Sequence, residues 1–166
     1  MSLPERAGEY EPGAFHRASI IVHAADVNGD VPPLRTIAGD LTGLNWPMGI
    51  DADLTHNEIA VANYGDSSVR IFRRGDRGNT QAVRVIRGAL TQIVGPVSVA
   101  IDTKHDELWV ANYGDHTAVV FPRAASGNVR PKRILRNAPK DTPTCGFTNA
   151  SAAAYDTKRD AILVPN

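Results

Sequence analysis

Short runs in which apolar and polar residues alternate follow one another along most of the chain. One series comprises residues 97–101, 107–112, 118–121 and 133–135, and its members are rich in β-branched residues. Glycine, asparagine, aspartate and proline separate the runs, so the pattern predicts short β-strands joined by tight turns. The first run is apolar, and we predict that it is the innermost strand. Only the alanine-rich residues 150–154 suggest a helix, and the repeat described next assigns them to an inner strand.

The series of runs recurs with a period of 49 residues. Residues 61–66 (VANYGD) return as residues 110–115, and seven of eleven positions are identical between 58–68 and 107–117. A fixed period of about 40–50 residues built from strands is typical of the blades of a β-propeller. The sequence therefore predicts an all-β propeller with four strands in each blade.

The last copy of the repeat is shifted by 54 residues. Residues 156–160 match residues 102–106, and the five additional residues fall within 137–149. A lengthened loop on one face of a repeat protein often carries its individual function, so this loop is a candidate part of a binding surface.

The phase of the repeat divides the chain into blades and half-blades. We predict an N-terminal extension, a half-blade, two blades and a second half-blade, at residues 1–18, 19–37, 47–87, 96–136 and 150–166. Together they amount to about three blades, half of a six-bladed propeller, and three blades cannot close a ring. The chain is then a piece of a longer propeller, a gene fragment without function, an engineered half-propeller, or one half of a head-to-tail homodimer that completes a six-bladed ring.

The turns of each blade carry two recurring signatures. Residues 64–66 and 113–115 (YGD) predict tight hairpins in which the glycine adopts a positive φ. Asp53 and Asp102 begin the turn before the second strand, where an aspartate side chain commonly bonds the backbone of its own turn. Both signatures predict structural roles.

Composition and charge exclude several classes of partner. The 18 Lys and Arg residues balance the 18 Asp and Glu residues, so no net charge favours nucleic acid or an acidic membrane. No apolar stretch approaches the roughly 18 residues of a membrane span. Residues 1–15 lack the apolar middle of a secretory signal, which leaves localisation open and allows secretion if the N-terminus is trimmed. The single cysteine, Cys145, forms no internal disulfide and has no catalytic signature around it.

The repeated motif has a family resemblance. It reads HNEIAVANYGDSSVRIF at residues 56–72 and HDELWVANYGDHTAVVF at residues 105–121, and it resembles the repeat of NHL and related six-bladed propellers. The resemblance covers residues 19–166. Relatives of this kind include binding scaffolds, metal-dependent lactonases and amidating lyases. The lactonases hold their metal with Asn, Asp and Glu from particular blades, and this sequence has no matching set.

The candidate ligand-binding residues are one tryptophan and a recurring asparagine. Asparagine ends the second strand at Asn63, Asn112 and Asn166, positions that cluster near one mouth of a propeller channel. Trp46, beside the proline that opens a first strand, is suited to stacking on a ligand. Amide oxygens suit a hard cation, which makes Asn63 and Asn112 candidate metal ligands. The alternative is that each asparagine caps its hairpin and that Trp46 covers the core.

Two further recurrences have structural alternatives. His56 and His105 lie one blade apart, as ligands of a transition metal would, but their place in polar turns favours a structural role. Arginine recurs on the predicted outermost strand, at Arg35, Arg84 and Arg133. These arginines form either a basic stripe for a partner or the charges that normally protect a sheet edge.

The sequence favours a non-enzymatic repeat scaffold that needs no cofactor. It would bind a protein or small ligand over the face that carries the asparagines and the 137–149 loop. The alternative is a metal-dependent lactonase, another hydrolase or a lyase, with Ca²⁺ or Zn²⁺ in the central channel. A metal held by Asn63 and Asn112 would favour the enzyme, and the fold alone does not choose between these functions.

Overall fold

The computed structural model describes residues 18–136 and 152–164, and the regular structure within these ranges is almost entirely β. The strands are β1 (Ser19–Val22), β2 (Arg35–Ala38), β3 (Pro47–Asp53), β4 (Glu58–Asn63), β5 (Ser68–Arg73), β6 (Arg84–Ile86), β7 (Pro96–Asp102), β8 (Glu107–Asn112), β9 (Thr117–Pro122), β10 (Arg133–Leu135), β11 (Ala154–Asp156) and β12 (Ala161–Leu163). Single turns of 3-10 helix lie in the connecting loops, at Asp40–Thr42, Tyr64–Asp66 and Ala89–Thr91. The predicted all-β class is confirmed.

The strands form sheets that repeat one antiparallel pattern. Strands β3 to β6 form one four-stranded sheet and β7 to β10 another, each in chain order, while β1 pairs with β2 and β11 with β12. The two complete sheets share one register, because Val61 faces Arg70 in the first and Val110 faces Val119 in the second. The repeat in the sequence is therefore a repeat of four-stranded sheets.

Successive sheets lie side by side with their first strands together. Strand β3 lies against β7, and β7 against β11, so the first strand of each sheet is innermost, as the apolar pattern predicted. The loop after each third strand crosses to the outer strand of the preceding sheet: the Gly78 N–H donates to the Thr36 carbonyl, 2.7 Å away. Gly127 repeats this contact on Val85, also at 2.7 Å. This is the arrangement of consecutive propeller blades, and the predicted propeller portion is confirmed.

Apolar side chains fill the spaces between the blades. One layer lies between the β1–β2 pair and the first complete blade, one between the two complete blades, and one between the second blade and the β11–β12 pair. Strand β8 is buried along its whole length because its blade has a neighbour on both faces. The fully buried side chains Phe72 and Phe121 occupy matching positions in two of these layers.

The hairpin turns differ from the sequence prediction in one respect. Gly65 and Gly114 do not adopt a positive φ; Ser67 (φ 50°) and His116 (φ 56°) do so instead. Glycine is required for space, because a Cβ on Gly65 would lie 2.5 Å from the Asn45 side chain. The prediction was wrong because a close approach between loops, rather than the turn conformation, selects glycine.

Some predicted features lie outside the described residues. They are Asn166, Cys145, the 137–149 loop and all but the last residue of the N-terminal extension. Within residues 18–136 and 152–164, no helix is long and apolar enough to cross a membrane.

Candidate functional site

Asn63 is part of the interior of its hairpin. Its side chain is fully buried, and its amide oxygen accepts a hydrogen bond from the Asn45 N–H at 2.7 Å. Its amide nitrogen donates to Asp66 at 2.7 Å and to the Gly43 carbonyl at 3.2 Å. Burial alone would raise the pKa of Asp66, but bonds from Ser68, Arg70 and Asn63 outweigh it and lower that pKa. Asn63 thus ties the hairpin to the loop that enters the blade.

Asn112 repeats this role in the second blade. Its oxygen accepts from the Val94 N–H at 3.2 Å, and its nitrogen donates to the Gln92 carbonyl at 2.8 Å and to Thr117 at 3.0 Å. Each asparagine is bonded to its own hairpin or to the loop that enters its own blade, and no bond joins the two side chains. The hairpin-capping alternative describes these contacts, and binding of a ligand or metal by these residues stays a prediction.

Trp46 is exposed in a backbone conformation that bulky residues rarely adopt. Its φ is 52°, in the left-handed region, and 67% of the residue is exposed. The Trp46 and Tyr64 rings pack in a T-shaped arrangement, with their centroids 5.4 Å apart and their planes at 64°. The matching residue of the second blade is Gly95, with φ 54°, where a Cβ would lie 3.0 Å from the Tyr64 ring. The first blade therefore carries a tryptophan at a position suited to glycine.

Neighbouring loops extend the surface around this tryptophan. The Tyr64 N–H donates to the Trp46 carbonyl at 3.1 Å, and the Tyr113 N–H donates to the Gly95 carbonyl at 2.9 Å. The same backbone hydrogen bond therefore connects the loops in both blades. Val94 and Tyr113 are exposed on it. We call this surface the Trp46 face; it consists of Asn45, Trp46, Tyr64, Val94 and Tyr113.

The two recurring histidines lie in the turns at the other end of the sheets. His56 Nδ1 is 2.6 Å from Asp53 Oδ2, and His105 Nδ1 is 2.6 Å from Asp102 Oδ2. Each aspartate also accepts hydrogen bonds from the backbone of its own turn, as predicted from the sequence. In the described ranges, no three His, Cys, Asp or Glu side chains are grouped so that they could hold a metal ion.

Two of the three fourth-strand arginines, Arg84 and Arg133, form ion pairs with the second strand of their own blade, whereas Arg35 donates to the Arg74 carbonyl. Arg84 donates to both carboxylate oxygens of Glu58, at 2.6 and 2.8 Å, and this bonding lowers the pKa of Glu58. Arg133 forms the same pair with Glu107. The predicted roles of these arginines, a stripe or edge charges, did not include the pairs, although Glu58 and Glu107 recur with the same period and were a usable signal.

Glu107 gives the protein a specific sensitivity to acid. Its hydrogen bonds to Arg133, and next those to Lys132, outweigh the effect of burial and lower its pKa from the ordinary 4.5 to about 2. The ionised form is thus favoured by folding, so its contribution is complete above pH 4.5 and is lost as the pH falls from 4.5 towards 2. Since about half of each Arg133 and Lys132 side chain is exposed to screening solvent, we expect a loss of about 1–2 kcal/mol of unfolding free energy over this interval.

Urea denaturation at a series of pH values measures this loss. The Glu107→Gln variant should be less stable than the wild type at neutral pH and should lose less stability over the acidic interval. The Asp76→Asn variant controls for general acid effects, since the Asp76 carboxylate accepts a hydrogen bond from the Arg73 N–H in an exposed turn. Equal acid sensitivity of the wild type and Glu107→Gln would contradict the assignment to Glu107.

Comparison with known proteins supports the fold. No family model matches the sequence, and no curated protein matches it. The structure is similar to 31 chains of solved structures, among them the crystal structure of the WD40 beta propeller domain of Doa1. That match has a TM-score of 0.50 and 16% sequence identity, and it covers 71% of this chain and 33% of the other. This chain thus spans about a third of that solved chain, and the likeness shows a β-propeller fold.

Proposed function

We propose that this chain is a non-enzymatic β-propeller scaffold that binds a protein partner across the Trp46 face. One observation carries the proposal: the first blade holds an exposed tryptophan where the second blade holds Gly95. A left-handed conformation costs a residue with a Cβ about 1–2 kcal/mol. Strain of this kind is typically retained where the side chain serves a function.

The chemistry of the Trp46 face suits a protein partner. Tryptophan and tyrosine dominate the binding energy of many protein interfaces, because each offers a large apolar area with one polar group. Trp46 is supported by the Tyr64 ring and by the backbone bond from Tyr64, so little conformational freedom is lost on binding. Val94 and Tyr113 extend the apolar surface onto the next blade. A partner with an extended apolar segment fits this arrangement.

We further propose that the blades are of the NHL type. We also propose that two copies of the chain form a homodimer that closes a six-bladed ring. Among the described residues, β1 and β12 each pair along one edge only. Ile21 of β1 is 55% exposed and Leu163 of β12 is 57% exposed. Their counterparts in the second blade, Val119 and Trp109, are 0% and 7% exposed. Pairing of β12 with β1 of a second copy would complete a blade and bury these side chains.

A metal-dependent lactonase or lyase has less support. Ca²⁺ or Zn²⁺ at Asn63 or Asn112 would compete with the backbone N–H that each amide oxygen already accepts. Both side chains are fully buried in their hairpins, away from solvent. We therefore base the proposed function on the Trp46 face.

The Trp46→Gly variant tests the proposal by exchanging the residue for the one in the second blade. We expect the variant to be more stable by about 1 kcal/mol, because glycine relieves the left-handed strain. We also expect it to bind at least about tenfold more weakly to peptides that are selected on the wild-type protein from a displayed library. Thermal unfolding and calorimetric titration measure the two effects.

Leu54→Ala is the matched control, because Leu54 is 71% exposed in the turn at the opposite end of β3. It should leave the affinity of the selected peptides unchanged. Retained binding by Trp46→Gly would overturn the proposed face. A change of solution mass in Trp46→Gly would instead assign Trp46 to contacts between two copies.

A further inference from the structure

Arginines of two neighbouring blades bond one glutamate of the first complete blade. Arg84 donates to both carboxylate oxygens of Glu58, and Arg123 Nη1 lies 3.2 Å from Glu58 Oε2. Arg84 also donates to the Arg123 carbonyl at 3.4 Å, so the two arginines contact each other as well. No more than 20% of any of these three side chains is exposed. Glu58 is thus the anion of a largely buried site formed by two arginines.

The same two arginines recur one period earlier in the chain. Arg35 corresponds to Arg84, and Arg74 corresponds to Arg123. Arg35 Nη2 donates to the Arg74 carbonyl, which repeats the contact between Arg84 and Arg123. Both glutamates within the described ranges are bonded elsewhere, and Arg35 Nη1 is buried without a hydrogen-bond partner. A buried donor without an acceptor is costly, so a carboxylate is expected at this place.

The chain contains a glutamate at the required position of the repeat. Glu9 precedes Glu58 by one period of 49 residues and lies outside the described residues. The residue before it, Gly8, also matches the repeat, because the residue before each second strand has a positive φ that glycine adopts without strain. The described residues at this position, with φ from 54° to 59°, are Asn57, Asp106 and Asp160.

We propose that an N-terminal segment of this chain, residues 8–11, docks beside the end of β1 in the monomer, with the Glu9 carboxylate bonded by Arg35 and Arg74. The carboxylate accepts a hydrogen bond from the Arg35 donor that has no other partner. It also gives both guanidinium groups the planar acceptor that Glu58 provides one blade later. The occupant of the Arg35 site is therefore a segment of the same chain.

The register of the first complete blade defines where the segment lies. Across β4 and β5, Ala60 faces Ile71. One period earlier, the corresponding residues are Glu11 and Val22, so residues 8–11 take the edge of β1 that does not pair with β2. Pro12 has no N–H to donate to a neighbouring strand, which ends the segment.

The proposed homodimer uses the same edge of β1, so the N-terminal segment and the second copy compete for it. In the homodimer, Leu163 of β12 faces Val22, whereas the segment brings the charged Glu11 to this position. The counterpart of both residues in the second blade is Trp109, which is 7% exposed, so an apolar side chain suits the position better. The segment therefore covers the edge in the monomer and gives way to β12 in the homodimer.

Docking of the segment can be tested without the homodimer. Leu163→Asp keeps the chain monomeric, because pairing of β12 with a second copy would bury the new carboxylate. Leu163 is 57% exposed in the monomer, so this change leaves the blades folded. The docking site also excludes Trp46, and its test is separate from that of the Trp46 face.

A disulfide between positions 11 and 22 measures the docking directly. In a Cys145→Ser/Leu163→Asp background, oxidation of Glu11→Cys/Val22→Cys in dilute solution should form an intramolecular disulfide. Val22 directs its backbone groups to β2, so the two positions form a non-hydrogen-bonded pair with Cα atoms about 4.5 Å apart. Mass spectrometry under non-reducing conditions gives the yield.

Tyr10→Cys/Val22→Cys in the same background is the matched control. It closes a loop of nearly the same length but places the two thiols on opposite faces of the blade, so its disulfide yield should be at least about tenfold lower. Equal yields from the two pairs would show an undocked segment and would overturn the proposal, as would the absence of a disulfide from Glu11→Cys/Val22→Cys.

Paired substitutions of glutamate test the contact with the arginines. In the Leu163→Asp background, Glu9→Gln should lower the equilibrium constant for folding about tenfold in urea denaturation, because the charged hydrogen bonds are lost. Glu5→Gln, the same change four residues earlier, should leave it unchanged. When Arg35→Gln is also present, Glu9→Gln should have no further effect. An equal effect of Glu9→Gln with and without Arg35→Gln would overturn the assignment of Glu9 to this site.

The competition with the second copy gives a separate expected result. With Leu163 retained, Glu9→Gln should lower the dissociation constant of the homodimer about tenfold relative to Glu5→Gln, because the edge of β1 loses its cover. Light scattering over a dilution series measures this difference, and equal dissociation constants would contradict the competition. If both variants remained monomeric, the proposed homodimer would be wrong, while the disulfide and urea results would still decide whether the segment docks.

Discussion

The Gly49→Ala variant is expected to lose about 3 kcal/mol of unfolding free energy, the largest effect that we predict for a single methyl group in this protein. A Cβ at residue 49 would lie 2.5 Å from the Val97 carbonyl oxygen and 2.6 Å from the Ser98 Cα. Both atoms belong to the backbone of β7, the inner strand of the next blade. The added methyl group can be accommodated only by separating two inner strands, because no flexible side chain can move aside.

Gly75→Ala is the matched control for this substitution. Gly75 lies in a surface turn, and a Cβ there would meet nothing within 4 Å. Its stability should change by less than about 0.5 kcal/mol. Urea denaturation of both variants gives the comparison. If the Gly49→Ala variant were as stable as the wild type, the inner strands β3 and β7 would not be packed as described.

The double variant Val22→Cys/Leu163→Cys is expected to form a disulfide-linked dimer when it is made in a Cys145→Ser background and oxidised. In the second blade, Trp109 faces Val120 across the pair β8 and β9. Leu163 and Val22 are their counterparts, so they would face each other if β12 of one copy paired with β1 of another.

Hydrogen bonding in β1 supports the choice of Val22. The Thr36 carbonyl and the Ala38 N–H bond Gly78, so they point away from β1. Ile21, the partner of Thr36, therefore directs its own backbone groups to the free edge, and Val22 directs its groups to β2. Val22 would then belong to a non-hydrogen-bonded pair across the seam. Such pairs have Cα atoms about 4.5 Å apart, a separation that permits a disulfide.

Ile21→Cys/Leu163→Cys in the same background is the control, because it shifts the pairing by one residue and places the two thiols on opposite faces of the blade. It should yield much less covalent dimer. The protein without added cysteines should have a solution mass of about twice 17.8 kDa by light scattering. A stable monomer would contradict the homodimer, and equal yields from both cysteine pairs would contradict the register.

The fold was largely predictable from the sequence because its signals are local. Alternation of apolar residues requires only that neighbouring side chains point to opposite faces, and it located β7 and β8 close to their observed bounds. The aspartate turns were predictable for the same reason: Asp53 and Asp102 bond backbone groups two and three residues away. A repeat of these local units implies a repeat of sheets.

The candidate site was less predictable because it depends on contacts between blades. Residues 49 and 98 occupy the same position in the repeat, yet a Cβ is excluded at Gly49, while Ser98 accepts a hydrogen bond from Ala153 at 3.0 Å. The sequence also left two roles open for the asparagines, as metal ligands and as caps of their hairpins. Only the structure shows that Asn63 is buried with bonds to its own blade.

The sequence by itself determined the strands, the aspartate turns and the blade period, because each is set by residues close together in the chain. The tertiary structure alone decided that Trp46 is exposed in a strained backbone, and that Arg123 reaches Glu58 across 65 positions of sequence. These features arise where one blade meets the next. The physical reason is that packing between blades depends on the distances and charges of residues far apart in sequence, which no local pattern specifies.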